Sequence, residues 1–139
     1  MGLVYADIEI LSSYDLALNR RGKLAKEQIK SVKVTALVDS GVYMLSINET
    51  IKAQLDLMII EEQIAELADG SRIKLEVVGP IDVRFANRST SVRAMVLPGD
   101  AEVLLGSIPM EDMDVLIDPK RQQLIVNPKN PYKPKKPLK

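Results

Sequence analysis

The chain has 139 residues, no net charge at pH 7, and neither cysteine nor histidine. Its length suits one domain with a modest core, and its balanced charge predicts no general attraction to nucleic acid or anionic membranes. Without cysteine and histidine, disulfides, thiol catalysis, Ser-His-Asp triads and histidine-bound or thiolate-bound zinc are excluded. Of the common hydrolytic mechanisms, an aspartic dyad or a carboxylate-bound metal remains.

The first predicted strand covers residues 4–10, where apolar and polar side chains alternate. Residues 1–7 contain no basic region, so we expect no signal peptide and a cytoplasmic protein. No apolar run approaches the length that crosses a bilayer, and we expect no membrane partner. The polar stretch 12–30 is predicted to be a loop with one helical turn over residues 24–29.

A second, apolar strand over residues 32–38 leads directly into Asp39, Ser40 and Gly41. A carboxylate at the end of a buried strand, followed by a hydroxyl residue and glycine, is typical of the catalytic turn of aspartic proteases. Those enzymes use two carboxyls that share one proton, and the motif occurs once here, so a dyad requires two chains. The tripeptide alone also fits an ordinary strand-end turn, in which Asp and Ser bond nearby backbone.

Residues 45–51 are predicted to begin a short helix, because Ser46 and Glu49 have the spacing of a capping box. A hairpin follows, with its tip at Ala68, Asp69 and Gly70. A three-residue loop with Gly70 in the left-handed conformation keeps the apolar residues of both strands on one face. Such a hairpin fits a flap over a bound peptide, and it also fits an ordinary hairpin of a β-rich domain.

Gly79 and Pro80 are expected to break the chain after this hairpin. Alternating patterns then predict strands over residues 81–85 and 92–96, a short helix over 109–113, and a closing hairpin from 115–117 and 124–126. Several short strands at this spacing favour a barrel or a sandwich.

An apolar run that ends in glycine lies about 65 residues beyond the acidic turn. It consists of Val103, Leu104, Leu105 and Gly106, and the glycine would let another backbone segment approach closely. On its own this run predicts only a buried strand end.

The C-terminal residues 129–139 are rich in proline and lysine. They lack the apolar side chains that would offset the entropy of ordering. We therefore predict a folded domain over residues 1–128 and a disordered tail over residues 129–139.

Taken in order, the Asp-Ser-Gly turn, the hairpin and the apolar-apolar-Gly segment resemble the retroviral-type, retropepsin-like aspartic proteases. The resemblance is to small cellular relatives with one motif per chain, and it covers nearly the whole sequence. It implies a mainly β, closed β-barrel-like acid protease fold with one lobe per chain, a flap hairpin and one or two short helices.

The resemblance also implies roles for individual residues. Asp39 would be the catalytic carboxylate, one from each subunit of a homodimer that hydrolyses an extended peptide or protein substrate without metal or cofactor. Ser40 would bond across the dimer axis, and Gly41 would allow the tight turn. The remaining residues implied are the supporting segment Leu104, Leu105 and Gly106 and the flap tip Ala68, Asp69 and Gly70.

Three departures from the family pattern leave an alternative open. Val42 is bulkier than the small residue usual after the glycine, Ser107 stands where an arginine often braces the dimer, and the flap tip carries only Gly70. The alternative function is a non-catalytic dimeric module of the same fold that binds peptide or protein. Binding of nucleic acid by the lysine-rich tail is disfavoured, because scarce aromatic residues offer no stacking platform.

Overall fold

The computed structural model describes residues 2–136, which form a mainly β structure, as predicted. The strands are β1 (Tyr5–Ser12), β2 (Ser31–Val38), β3 (Leu45–Asn48), β4 (Ile59–Glu66), β5 (Arg72–Phe85), β6 (Arg88–Leu97), β7 (Leu104–Leu105), β8 (Val115–Asp118) and β9 (Gln123–Val126). The helices are α1 (Ser13–Arg20), α2 (Glu49–Gln54), α3 (Ser107–Met113) and a 3-10 helix over Lys26–Gln28.

The strands form one sheet in the order β4-β5-β6-β3-β7-β2-β1-β9-β8, and β5 also pairs with β1. This extra pairing is possible because β5 has 14 residues. Its first part pairs with β4, and its last part, from Ile81 onward, pairs with β1. The pairings therefore close a ring of six strands, with β4 outside the ring on one side and the β8–β9 hairpin on the other.

The expected break at Gly79 and Pro80 is wrong, because β5 continues through both residues. The pairing with β6 shifts its register between Val78 and Ile81 and then resumes. The strand continues because Ile81 and Val83, both fully buried, pack in the core. Burial of such a side chain stabilises the fold by about 1.5–3 kcal/mol, which favours the extended chain on both sides of the irregularity.

The core is almost entirely aliphatic and lies among the ring strands and the helices. Its fully buried side chains come from all six strands of the ring and from α3, so the core joins the first half of the chain to the second. These side chains include Ile10, Ala36, Leu45, Ile47, Val78, Ile81, Val83, Ala94, Leu105 and Met113.

The helix predicted from residue 45 begins later, at Glu49. Leu45 and Ile47 are fully buried in β3, which pairs in parallel with β6, so tertiary packing overrides the capping pattern. The N-cap is Asn48, whose side-chain oxygen accepts a hydrogen bond from the Ile51 N–H at 2.9 Å. The predicted capping role of Ser46 is therefore wrong.

The described chain has three α-helices, more than the one or two that were expected. The extra helix is α1, in the polar stretch that was predicted to be a loop, where Ser12 accepts a hydrogen bond from the Asp15 N–H at 3.1 Å. The helical turn predicted over 24–29 is only the 3-10 helix. No helix within residues 2–136 is long and apolar enough to cross a bilayer.

The closing hairpin forms as predicted from β8 and β9, and the described part of the tail lies against the protein. The Lys135 N–H donates to Asp114 Oδ2 at 2.9 Å, and Asn87 Nδ2 donates to the Pro131 carbonyl at 2.9 Å. These contacts were not predicted from the sequence. Residues 137–139 of the predicted tail lie outside the described residues, and disorder of the tail in solution stays a prediction.

Candidate active site

Asp39 lies at the end of β2, on a turn whose backbone is tied to β7. Its N–H donates to the Leu105 carbonyl at 3.0 Å, and the Val42 N–H donates back to the Asp39 carbonyl at 3.2 Å. The Gly41 N–H donates to Asp39 Oδ1 at 2.9 Å. Asp39 is half-buried, whereas Ser40 and Gly41 are exposed. The turn therefore fixes one carboxylate oxygen while the side chain still meets solvent.

The segment predicted to support the turn lies in the centre of the sheet. Strand β7 pairs in parallel with β2, with Leu104 opposite Leu37 and Leu105 opposite Val38. On its other side, Leu104 pairs with Ser46 of β3. This short strand thus bridges the two strands that enclose the acidic turn.

Gly106 allows the closest backbone contact in this region. A Cβ atom placed on it would lie 2.5 Å from the Val42 carbonyl oxygen and 2.7 Å from the Tyr43 carbonyl carbon, and it would also meet the Met44 carbonyl oxygen. Its φ of −90° is available to any residue. Glycine is therefore required here for space and not for backbone conformation.

The residues after Gly106 hold the chain that leaves the turn. The Ser107 N–H donates to the Val42 carbonyl at 2.7 Å, and the Ile108 N–H donates to the Tyr43 carbonyl at 2.9 Å. The turn is therefore held by a backbone bond at Asp39 and by two more after Gly41, at Val42 and Tyr43. The donors of these two later bonds are the first two residues of α3.

An exposed apolar surface lies beside the turn. Tyr43 is 76 % exposed and Ile108 is 51 % exposed, and the backbone hydrogen bond between them places the two residues side by side. We call this surface the Tyr43–Ile108 patch. Sequence reasoning missed it, because an apolar residue next to a buried strand is usually part of the core.

The predicted hairpin forms with the predicted register. Ala65 lies opposite Ile73, and the Leu67 N–H donates to the Ser71 carbonyl at 2.8 Å across the three-residue loop. Gly70 has a φ of +86°, the left-handed conformation expected for it.

Asp69 organises the tip of the hairpin. Its Oδ1 accepts hydrogen bonds from the Ser71 N–H at 2.9 Å and from Ser71 Oγ at 2.6 Å. These bonds stabilise the ionised carboxylate and lower the pKa of Asp69. No hydrogen bond within the described chain joins this tip to Asp39.

Tyr5 adds a contact near the supporting segment. Partial desolvation of the phenol and the negative charge of the neighbouring Glu102 raise the pKa of Tyr5. Tyr5 also pairs with Leu37 near the end of β2. The start of β1 therefore lies beside the end of β2.

Within residues 2–136, no group of three or more acidic side chains is arranged to hold a metal ion. Comparison with protein-family models and with curated proteins gives no match for this chain. The function is therefore proposed from the geometry of the site.

Proposed function

We propose that the chain is an aspartic endopeptidase of retroviral type, with one acid protease lobe per chain and activity only as a homodimer. The observation that carries this proposal is the way segment 104–106 holds the acidic turn. The Leu105 carbonyl accepts a hydrogen bond from the Asp39 N–H, and Gly106 lies directly against the chain that leaves the turn. A reactive group fixed by backbone bonds to a buried strand is positioned before substrate arrives, as catalysis requires.

In the proposed mechanism, the two Asp39 carboxyls of a dimer flank one water molecule. Two carboxyls so close cannot both ionise, because their negative charges repel, so the pair holds one proton over part of the pH range. The ionised carboxyl accepts a proton from the water, whose oxygen attacks the peptide carbonyl carbon. The protonated carboxyl donates a hydrogen bond to the developing oxyanion, and proton transfer to nitrogen then releases the amine.

The Tyr43–Ile108 patch supports the homodimer. Covering exposed apolar side chains with a partner stabilises the complex by about 25 cal/mol for each Å² of apolar surface buried. In a two-fold dimer the same patch is used on both chains. Because Tyr43 is only four residues after Asp39, contact between two patches brings the two acidic turns together.

The hairpin of β4 and β5 supports an extended substrate. Leu75 and Val77 are buried at the base of the hairpin, and the same face continues to Leu67, which is 47 % exposed at the tip. An apolar face that leaves the core and reaches solvent can cover a bound peptide. β4 is an edge strand of the sheet, and an extended peptide binds such elements through backbone hydrogen bonds.

The decisive experiment measures cleavage of a peptide library from acid to neutral pH by wild type and Asp39→Asn. The matched control is Asp56→Asn, which makes the same change at an exposed aspartate outside the turn. We expect Asp39→Asn to lose cleavage while keeping its unfolding midpoint, and the control to cleave like wild type. Cleavage that survives Asp39→Asn would contradict the proposal.

A mixing experiment tests whether the dyad is shared. When Asp39→Asn subunits are added in equal amount to wild type and allowed to exchange, about a quarter of the random dimers contain two Asp39 carboxyls. Activity per wild-type subunit should then fall to about half of its unmixed value. Activity per wild-type subunit that stays constant would show that each chain works alone.

The alternative, a dimeric binding module without turnover, keeps the same fold and the same surfaces. The half-buried Val42 and the single glycine at the hairpin tip motivate it. It predicts a stable dimer that cleaves no peptide and binds extended peptides equally well in wild type and in Asp39→Asn. Peptide binding measured by calorimetry beside the cleavage assay separates the two functions.

A further inference from the structure

Arg88, at the start of β6, is a buried charge with few partners. Its side chain is fully buried, and its Nε and Nη1 have no hydrogen-bond partner among the described residues. Its Nη2 donates to the Asn130 carbonyl and lies 3.9 Å from Asp114 Oδ2. A buried guanidinium is costly to leave unpaired, so these two partners matter.

Both partners depend on the segment 127–136, which we call the C-terminal strap. The strap supplies the Asn130 carbonyl directly. It also surrounds the Asp114 carboxylate, because Asn127 Nδ2 donates to Oδ1 at 2.9 Å and Asn130 Nδ2 donates to Oδ2 at 2.8 Å. The Lys135 N–H adds a third bond to Oδ2. Asp114 therefore joins Arg88 to three strap residues.

A second contact joins the strap to α3 near the same end of the helix. Asp112 Oδ2 accepts a hydrogen bond from Thr90 Oγ1 at 2.6 Å and lies 3.4 Å from Lys136 Nζ. β6 and the strap thus both hold the C-terminal end of α3.

The opposite end of α3 holds the acidic turn. Asp114 is the C-cap of this helix, and Ser107 and Ile108 at its start donate to the carbonyls of Val42 and Tyr43. A helix of 7 residues spans only about 10 Å, so a shift at one end displaces the other. The strap and the turn are therefore connected through one short, rigid element.

We infer that Asp114 is a positioning residue through which the C-terminal strap fixes α3 and, with it, the acidic turn at Asp39. Its effect on catalysis rests on the function proposed above, whereas its effect on the turn does not. Met110 and Met113 also anchor α3 in the core, so the experiment must separate the contribution of the strap from that of the core.

The test compares Asp114→Asn with Asp56→Asn. Both positions have positive φ, at 55° and 49°, and asparagine tolerates that conformation. The matched pair therefore isolates the lost carboxylate contacts from any backbone effect. Asn130→Ala is a second variant, which removes one donor to Asp114 and keeps the carbonyl that Arg88 uses.

The readout is hydrogen exchange of the Ser107 and Ile108 amides by NMR, with the Val83 amide in the core as the reference. In Asp114→Asn we expect exchange at both reporter amides to rise about tenfold relative to Val83, with a smaller rise in Asn130→Ala and none in Asp56→Asn. Equal acceleration at all three amides, or none at the reporters, would overturn the inference and leave the strap a purely stabilising element.

Cleavage kinetics test independently whether Asp114 affects catalysis. If wild type cleaves peptides, we expect Asp114→Asn to lower kcat with little change in KM, because the turn moves while the hairpin that covers the substrate does not. An unchanged kcat with faster reporter exchange would overturn the catalytic part. If wild type does not cleave at all, the proposed function fails, and the exchange experiment still decides whether the strap positions the turn.

Discussion

The acidic turn and the Arg88–Asp114 cluster are both polar sites beside the aliphatic core, but they are built differently. The turn depends on backbone hydrogen bonds and on the small size of Gly106, within two short stretches of chain. The cluster depends on side chains, and Arg88 and Asn130 are 42 residues apart in sequence. Backbone geometry therefore positions the turn, whereas a distant segment completes the cluster.

The two sites are disrupted by different kinds of change. A site made of backbone bonds is disrupted by added volume and is insensitive to many side-chain changes. A site made around a buried charge is disrupted by the loss of a partner, because the remaining charge keeps its full desolvation penalty. The predictions below test this difference, from the largest expected effect to the smallest.

The largest effect is expected when the chain is ended after Pro128, which removes most of the strap. Arg88 then loses the Asn130 carbonyl, and we expect the free energy of unfolding to fall by about 3–5 kcal/mol, measured by urea denaturation. Adding Arg88→Met to the shortened chain should recover much of this loss, since an apolar side chain needs no partner. A shortened chain as stable as the full chain would refute this role of the strap.

Gly106→Ala should destabilise the protein by about 3 kcal/mol. The new methyl group would meet backbone atoms of residues 42–44, which cannot move as a flexible side chain can. The control is Gly22→Ala, where the backbone has positive φ and no atom lies within 4 Å. Thermal unfolding of both variants should show the larger loss at Gly106, and an equal or reversed order would contradict the steric argument.

Acidification should weaken the hold of the strap on Asp114. Hydrogen bonds from Asn127, Lys135 and Asn130, together with the Arg88 charge, lower the pKa of Asp114. A lowered folded-state pKa gives stability that is present above the unfolded value of about 3.9 and is lost as the pH falls through the folded value. The stability difference between wild type and Asp114→Asn should therefore shrink below about pH 4, measured by urea midpoints across a pH series. A difference that stays constant would show that Asp114 acts without its charge.

The smallest effect is expected for Gly70→Ala at the hairpin tip. No atom lies within 4 Å of the added methyl group, so the change costs only the strain of a φ of +86°, about 1 kcal/mol. Because β4 is exposed along nearly its whole length, this strain should raise hydrogen exchange locally at Leu67 and leave the Val83 amide unchanged. Acceleration at both would show that the tip is part of the cooperative core.

The sequence was informative where the structure depends on local pattern. The parity of apolar residues around Asp69 and Gly70 predicted the hairpin register, and the apolar strand before Asp39 predicted where the turn would lie. The sequence was misleading where packing overrides local signals. Ser46 and Glu49 have the spacing of a capping box, but Ser46 lies in a buried strand. The Arg88 cluster carried no local signal at all, since its members lie on β6, after α3 and in the strap.

The strap also has a consequence for how the protein is made. Chains fold from the N-terminus as they leave the ribosome, and strands β1 to β7 all precede residue 130 in the chain. Until then the Arg88 guanidinium lacks its carbonyl acceptor and the end of α3 is not held. If the strap positions the turn as inferred, the acidic turn reaches its final geometry only after residue 130 has been synthesised.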